Sequence, residues 1–154
     1  MKMSEKEKAE FDRILETYLN HPKVQEMKKY CAHGKINVFS HSLNVARTAF
    51  LLNNKWKMNA DPETLLVGAL LHDFYLYDWH DPQKFTGLFQ MHGFTHPEIA
   101  RENAVRYFSV DKPTQDVIRC HMWPLTLRDV PMRKEAFLVC MADKYCALKE
   151  TILR

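Results

Sequence analysis

The sequence predicts an all-helical protein, and three observations point that way. Its 154 residues hold only 4 glycines and 7 prolines, too few for the many tight turns of an all-β design. Apolar residues recur at helical intervals, with no sustained strand-like alternation. Helix-start signatures precede several of these stretches: Ser4 with Glu7 three positions on, Asp61 before Pro62-Glu63, and Thr95 ahead of Pro97-Glu98.

Composition narrows the function classes. An apolar fraction of 46% and a charged fraction of 27% are ordinary for a soluble globular protein, and the length suits a single domain over 1–154 with a real core. A net charge of +3 is too small to indicate nucleic acid. Cys31, Cys120, Cys140 and Cys146 contain no Cys-x-x-Cys pair, which argues for reduced thiols rather than a disulfide framework. The charged N-terminus lacks the apolar core of a signal peptide, and no apolar stretch approaches the ~18 residues of a membrane span. The expectation is a soluble cytoplasmic protein without a membrane partner.

The first helix runs over 4–19, capped by Ser4, with Phe11, Ile14, Leu15, Tyr18 and Leu19 on its apolar face. His21-Pro22 breaks it, and a short helix follows through Val24 and Met27. Cys31 to Lys35 reads as a helix end with Gly34 as its C′ residue, and His33 suits the terminal turn of a helix. His21 and His33 are left outside the site. Another helix starts at Ser40 and ends near Asn53-Asn54, with His41, Val45, Ala49 and Leu52 on its inward face. A histidine on such a face is either a satisfied core residue or a ligand.

The stretch Leu65 to His72-Asp73 is a buried helix entered through Asp61-Pro62-Glu63. Unpaired ionisable groups at the end of a buried helix are costly, so His72 and Asp73 need partners, and a metal ion is one. His80 to Thr95, with Gly87, Gly93 and Asp81-Pro82, reads as a long loop, either a lid over a substrate or a packed surface segment. It carries His80, His92, Lys84, Phe85 and Phe89. Thr95 then opens a helix through Ile99, Asn103 and Tyr107, with His96 in its first turn. Lys112-Pro113 starts a helix over Thr114 to His121. A last helix spans about Arg133 to Leu153, with Phe137, Leu138, Cys140, Met141, Tyr145 and Leu148 as its buried stripe. Asp143 interrupts that stripe, and a carboxylate among apolar neighbours needs a cation or several donors. The total is about seven helices without repeats or a convincing strand.

His41, His72, Asp73, His96, His121 and Asp143 are spaced too widely for a zinc finger, but ligands from several helices suit a site inside a bundle. In this order and context they resemble the HD-domain superfamily of metal-dependent phosphohydrolases. His41 matches the first histidine of that family, Leu70-Leu71-His72-Asp73 its doublet, and Ala142-Asp143-Lys144 its last aspartate. His96 in His-Pro-Glu-Ile-Ala and His121 are similar to the further histidines of the subgroup with two metals. The resemblance covers about residues 39–150, with 1–35 as an N-terminal helical extension. It implies a helical bundle in which His41, His72, Asp73 and Asp143 hold one divalent ion and Asp73, His96 and His121 a second. Manganese, iron, cobalt, magnesium and zinc all suit these ligands. Water activated between the ions would attack the phosphorus of a small phosphorylated substrate.

Two departures refine the expectation. Many relatives carry a lysine shortly after the doublet, where Phe74-Tyr75-Leu76 stands here. If the helix ran on, His80 would share the face of Asp73 and take that place. No Gly-Tyr-Pro follows His121, which points away from cyclic-dinucleotide phosphodiesterases and toward enzymes acting on nucleotides. Lys144 is the first candidate for a phosphate contact, with Arg47 and Arg101 behind it. His80 and His92 are candidates for protonating the leaving group, and Trp79, Phe85, Phe89 and Trp123 for stacking on a base. The expected catalytic residues are thus Asp73, Lys144 and His80. A non-catalytic metal- or nucleotide-binding regulatory module and a di-iron oxygenase are the alternatives.

Overall fold

The computed structural model of the chain describes residues 2–81 and 91–152. Among these residues it comprises helices α1 (Glu5–Leu19), α2 (Pro22–Glu26), α3 (Val38–Trp56), α4 (Pro62–Leu71), α5 (His92–Phe108), α6 (Lys112–Cys120) and α7 (Lys134–Ile152). A two-stranded hairpin, β1 (Cys31–His33) and β2 (Ile36–Asn37), precedes α3. The predicted all-α class is what the chain adopts.

Helix α4 lies at the centre and touches α1, α3, α5, α6 and α7. Every residue from Thr64 to Leu71 is buried, as expected of a helix that is apolar on all sides. Asp61 caps its start by accepting the Thr64 amide at 2.8 Å, with Pro62 in the first turn. Gly68 sets the distance to α6. A Cβ at that position would lie 2.5 Å from Val117 Cγ1 and 2.8 Å from Val117 Cβ, so only glycine lets the two helices approach this closely. Helix α1 carries the expected Ser4–Glu7 capping box and buries Phe11 and Leu15, with Phe11 edge-on to Phe50 of α3.

Several expected boundaries are corrected. Cys31 to Lys35 is not a helix end but the first strand and turn of the hairpin. Gly34 has the positive φ of 57° expected for a C′ residue, but it uses it in the turn between the strands. Strands this short leave no alternation to read. Helix α3 starts at Val38, two residues before the expected Ser40, capped by Asn37, which accepts the Ser40 amide at 2.8 Å. It also runs on to Trp56, ending on Lys57 with φ 52°.

Helix α4 stops at Leu71, and the chain from Phe74 on is irregular, with Leu76 at φ 56°. The helical continuation that would have put His80 on the face of Asp73 therefore does not exist. Helix α5 begins at His92, ahead of the expected Thr95. Its N-cap, Met91, makes no side-chain cap, which hid the start, and the Thr95 hydroxyl donates back to the Met91 carbonyl. Residues 82–90 of the expected long loop, with Lys84, Phe85, Gly87 and Phe89, lie outside the described residues.

The stripe expected to be buried on α7 is corrected most. Phe137, Met141, Tyr145 and Leu148 are exposed, whereas Ala136, Leu138, Val139, Cys140, Ala142, Asp143 and Cys146 are buried. The helix is apolar on two faces, and the face with the smaller side chains is the one that packs on α3, α4 and α6.

Candidate metal centre

Asp73 follows the end of α4 and sits between two sets of imidazoles. Its Oδ2 faces His72 Nε2 at 3.4 Å and His41 Nε2 at 3.8 Å. Its Oδ1 faces His96 Nε2 at 3.2 Å and His121 Nε2 at 3.4 Å. Asp143, from the middle of α7, closes the first set, with Oδ1 3.0 Å from His41 Nε2 and 3.6 Å from His72 Nε2. All six residues are buried, none more than 8% exposed. The structure thus gathers His41, His72, Asp73, His96, His121 and Asp143 in one place.

Local structure explains why the four rings face inward. His72 and His121 are the C-cap residues of α4 and α6. Each points Nδ1 back at a carbonyl of its own last turn, His72 at Ala69 at 2.7 Å and His121 at Ile118 at 2.6 Å. A helix end leaves such carbonyls without amide partners. His96 does the same one turn back, to the His92 carbonyl at 2.6 Å. Carbonyls only accept, so in all three rings Nδ1 carries a proton and Nε2 is the atom turned to the centre, free to bind a metal whenever it is itself unprotonated. His41 differs, because its Nδ1 donates to the carboxylate of Glu150 at 2.7 Å. The segment after the doublet is held by Asn103 of α5, whose amide donates to the Phe74 carbonyl at 2.9 Å.

Two features fit these residues to metal ions. His72 Nε2 is buried without any hydrogen-bond partner, an arrangement that costs free energy unless a cation meets it. His96 Nε2 and His121 Nε2 stand 2.8 Å apart. Because both rings hold their proton on Nδ1, these lone pairs confront each other and call for a proton or a cation between them. Two nitrogens each bonded at about 2.0–2.1 Å to one ion lie about 3 Å apart when the bonds are at right angles.

The electrostatics agree with a cation site. Burial raises a carboxyl pKa, yet for Asp73 it is outweighed above all by the charge on His72, which holds it well below the usual range. Asp143 is held low in the same way against its burial by His41 and His72. Burial opposes charge on His41, but hydrogen bonds to Asp143 and Glu150 raise it to about 9. His72 is raised too, by Asp73 and Asp143, against the burial that opposes its charge. For His121 burial wins and keeps the ring neutral. Without another cation, protons on His41 and His72 balance the two carboxylates.

The centre opens into a cavity of about 590 Å³. Tyr75, Trp79 and His92 form one wall, and Met122, Pro124 and Leu125 another. The Trp79 indole donates to the Cys31 carbonyl at 2.8 Å and stacks on His92, which stacks in turn on His96. Lys144 also lines the cavity, with its ammonium on the His121 carbonyl at 2.8 Å and the Cys140 sulfur at 3.4 Å.

The other candidates lie elsewhere. His80 is half-exposed beside Asp78, its ring against Trp79, and is not among the cavity-lining residues. Arg101 pairs with Glu98 and Gln115 on the outer side of α5. Arg47 lines a different cleft between α3 and α7. Trp123 is partly exposed and lies off the cavity. Sequence reasoning missed two neighbours of His41. One is His33, which the hairpin places edge-on to it with ring centroids 4.8 Å apart and which also lines the cavity. The other is Glu150. No motif marks either residue.

A family model described as HD domain matches residues 38–148. Neither the curated proteins nor the solved structures give a significant match.

Proposed function

Because the chain belongs to the HD-domain family, the superfamily of metal-dependent phosphohydrolases, we propose that it hydrolyses a phosphoester or phosphoanhydride bond of a small phosphorylated compound, a nucleotide, with two divalent ions. The observation that supports this best is the division of Asp73, with one carboxylate oxygen facing His41 and His72 and the other facing His96 and His121. Asp143 joins the first group, so four residues would hold one ion and three the other, with Asp73 common to both. Neutral imidazoles and carboxylates suit manganese, iron, cobalt, magnesium or zinc without selecting among them. Such ions supply a deprotonated water at neutral pH and neutralise charge on phosphoryl oxygens.

The chain's own residues would do the rest. The Nδ1 contacts to carbonyls and to Glu150 hold the imidazoles in one tautomer and one orientation before substrate arrives. Lys144 keeps a cation at the cavity wall, where it would face phosphate oxygens. Trp79 and Tyr75 give the cavity an aromatic wall for the rest of the substrate, and the bond from Trp79 to Cys31 fixes the indole. The largely apolar walls would exclude water from the remainder of the substrate. His80 has no part in this proposal, since it stands outside the cavity.

The test is metal content per chain by elemental analysis, followed by hydrolysis of a panel of nucleotides and other phosphate esters. The expected result is about two ions per chain, falling to about one in His96→Ala and His121→Ala, together with turnover of at least one phosphate ester. Protein that takes up no divalent metal would refute the proposal. Two bound ions with no turnover across the panel would leave a metal-binding regulatory module instead.

A further inference from the structure

Helices α3 and α7 grip His41 from both ring nitrogens. Asp143 and Glu150 are two turns apart on α7 and so share a face. His41 of α3 lies between them, with Nε2 3.0 Å from Asp143 and Nδ1 2.7 Å from Glu150. The second oxygen of Glu150 accepts the Asn44 amide at 3.0 Å, one turn further along α3. The His41 ring is fully buried and the Glu150 side chain is 9% exposed, at the edge of the cleft between α3 and α7. Glu150 also lies beyond the last residue of the family match.

We propose that Glu150 is a positioning residue for the His41 metal position and makes the two metal positions unequal in affinity. This rests on the metal-centre reading above. The contrast within the centre supplies the reason. Three histidines spend Nδ1–H on neutral carbonyls, and only His41 spends it on a carboxylate. A carboxylate partner fixes the ring and makes the opposite nitrogen a stronger donor to a metal. The same position also draws on Asp143 and on Oδ2 of Asp73. The His96–His121 position has only Oδ1 of Asp73 and two carbonyl-backed rings. The His41 position therefore fills first.

Glu150→Gln keeps the shape and removes the charge, and Glu150→Ala removes both. Each variant is titrated with Co²⁺ alone, following visible absorbance and calorimetric heat, beside the wild type and His121→Ala. Unfolding of the metal-free proteins is recorded by circular dichroism. In the wild type two classes of site are expected, with the tighter one surviving in His121→Ala. In Glu150→Ala that tighter class should weaken by about 10- to 100-fold, the typical cost of losing such an outer partner. Glu150→Gln should recover part of the loss, since its amide oxygen still accepts from His41. The Co²⁺ spectrum of the tight class should shift in both Glu150 variants, which a purely structural role would not produce. Unchanged affinity and spectrum of the tight class in Glu150→Ala would overturn the inference while leaving the metal centre standing. A Glu150→Ala protein that fails to fold leaves Glu150→Gln to decide, where an unchanged tight class has the same meaning. A wild type that takes up no Co²⁺ would overturn the metal centre itself, and the inference with it.

Discussion

Replacing Gly68 by alanine should destabilise this protein, although the same exchange inside most helices is favourable by about 1 kcal/mol. The new Cβ would stand 2.5 Å from Val117 Cγ1 and 2.8 Å from Val117 Cβ, well inside van der Waals contact. The nearer atom could turn away, but Val117 Cβ is fixed to the α6 backbone, so α4 and α6 must separate. Overpacking of a fully buried contact costs about 1–3 kcal/mol, and a clash against a backbone-fixed atom belongs at the upper end. Subtracting the propensity gain leaves a net loss of about 2 kcal/mol, or about 4–8 °C in Tm for a chain of this size. Chemical and thermal unfolding of the metal-free protein would measure it. Val117→Ala alone leaves a void and also destabilises, but the double variant should lose less than the sum, by about 1 kcal/mol or more. The same displacement bears on function. Helix α4 delivers Asp73 and α6 delivers His121, whose facing atoms are 3.4 Å apart, so Gly68→Ala should also weaken uptake of the second ion in the proposed centre. A Gly68→Ala protein as stable as the wild type, or strictly additive losses in the double variant, would refute the packing argument.

The remaining predictions concern the centre. His41 is raised to about 9 in the folded state, so its contribution is complete below the unfolded value of about 6.5 and is lost as pH rises through 9. The metal-free protein should lose on the order of 3 kcal/mol across that interval, seen as a falling Tm. Metal uptake should strengthen over the same interval, because Nε2 must lose its proton to bind, and calorimetry in buffers of different ionisation heat would show proton release. Treating metal-loaded protein with chelator should lower its Tm, and re-addition of the ion should restore it; indifference to chelation would contradict the proposed centre. Lys144→Gln should reduce kcat/KM on a phosphate ester by about tenfold or more, while the metal content stays at the wild-type level. Loss of metal in that variant would mean that the ammonium acts by bracing the His121 carbonyl.

How much of this was legible in the sequence follows from how local each signal was. The caps at Ser4 and Asp61 and the uniformly apolar run from Leu65 to Leu71 depend on neighbours along the chain, and the structure has them as expected. The gathering of the six candidate ligands could be anticipated only through the family resemblance, since no spacing rule links His41 to Asp143. What depends on contacts across the fold was not legible. The hairpin holding His33 has strands of three and two residues, too short for a period. The start of α5 at His92 has no capping side chain to announce it. On α7 the sequence offers two apolar faces, and only α3, α4 and α6 decide that Ala142 and Cys146 turn inward while Met141 and Tyr145 stay exposed. Glu150 looked like any charged residue near the end of a helix.

The placement of helix ends also bears on which kind of ligand the centre can accept. Helices α4 and α6 both terminate at it, through His72 and His121. A helix C-terminus carries a partial negative charge, and here two of them converge with the carboxylates of Asp73 and Asp143. That field favours a cation over a bare phosphate; in the metal-free protein protons on His41 and His72 only balance the two carboxylates, so an anionic substrate gains net attraction once divalent ions replace them. Each terminal histidine also satisfies a carbonyl of its own helix while turning a lone pair toward the centre. The groups that end the helices are therefore the ones that would bind the metal. This gives an ordered prediction: in equilibrium binding with a non-hydrolysable nucleotide analogue, affinity for the metal-free protein should be at least about tenfold weaker than for the loaded protein. Linkage requires the analogue to tighten metal binding by the same factor. Equal affinity of the analogue for both forms would place the phosphate away from the centre and remove it from the proposed chemistry.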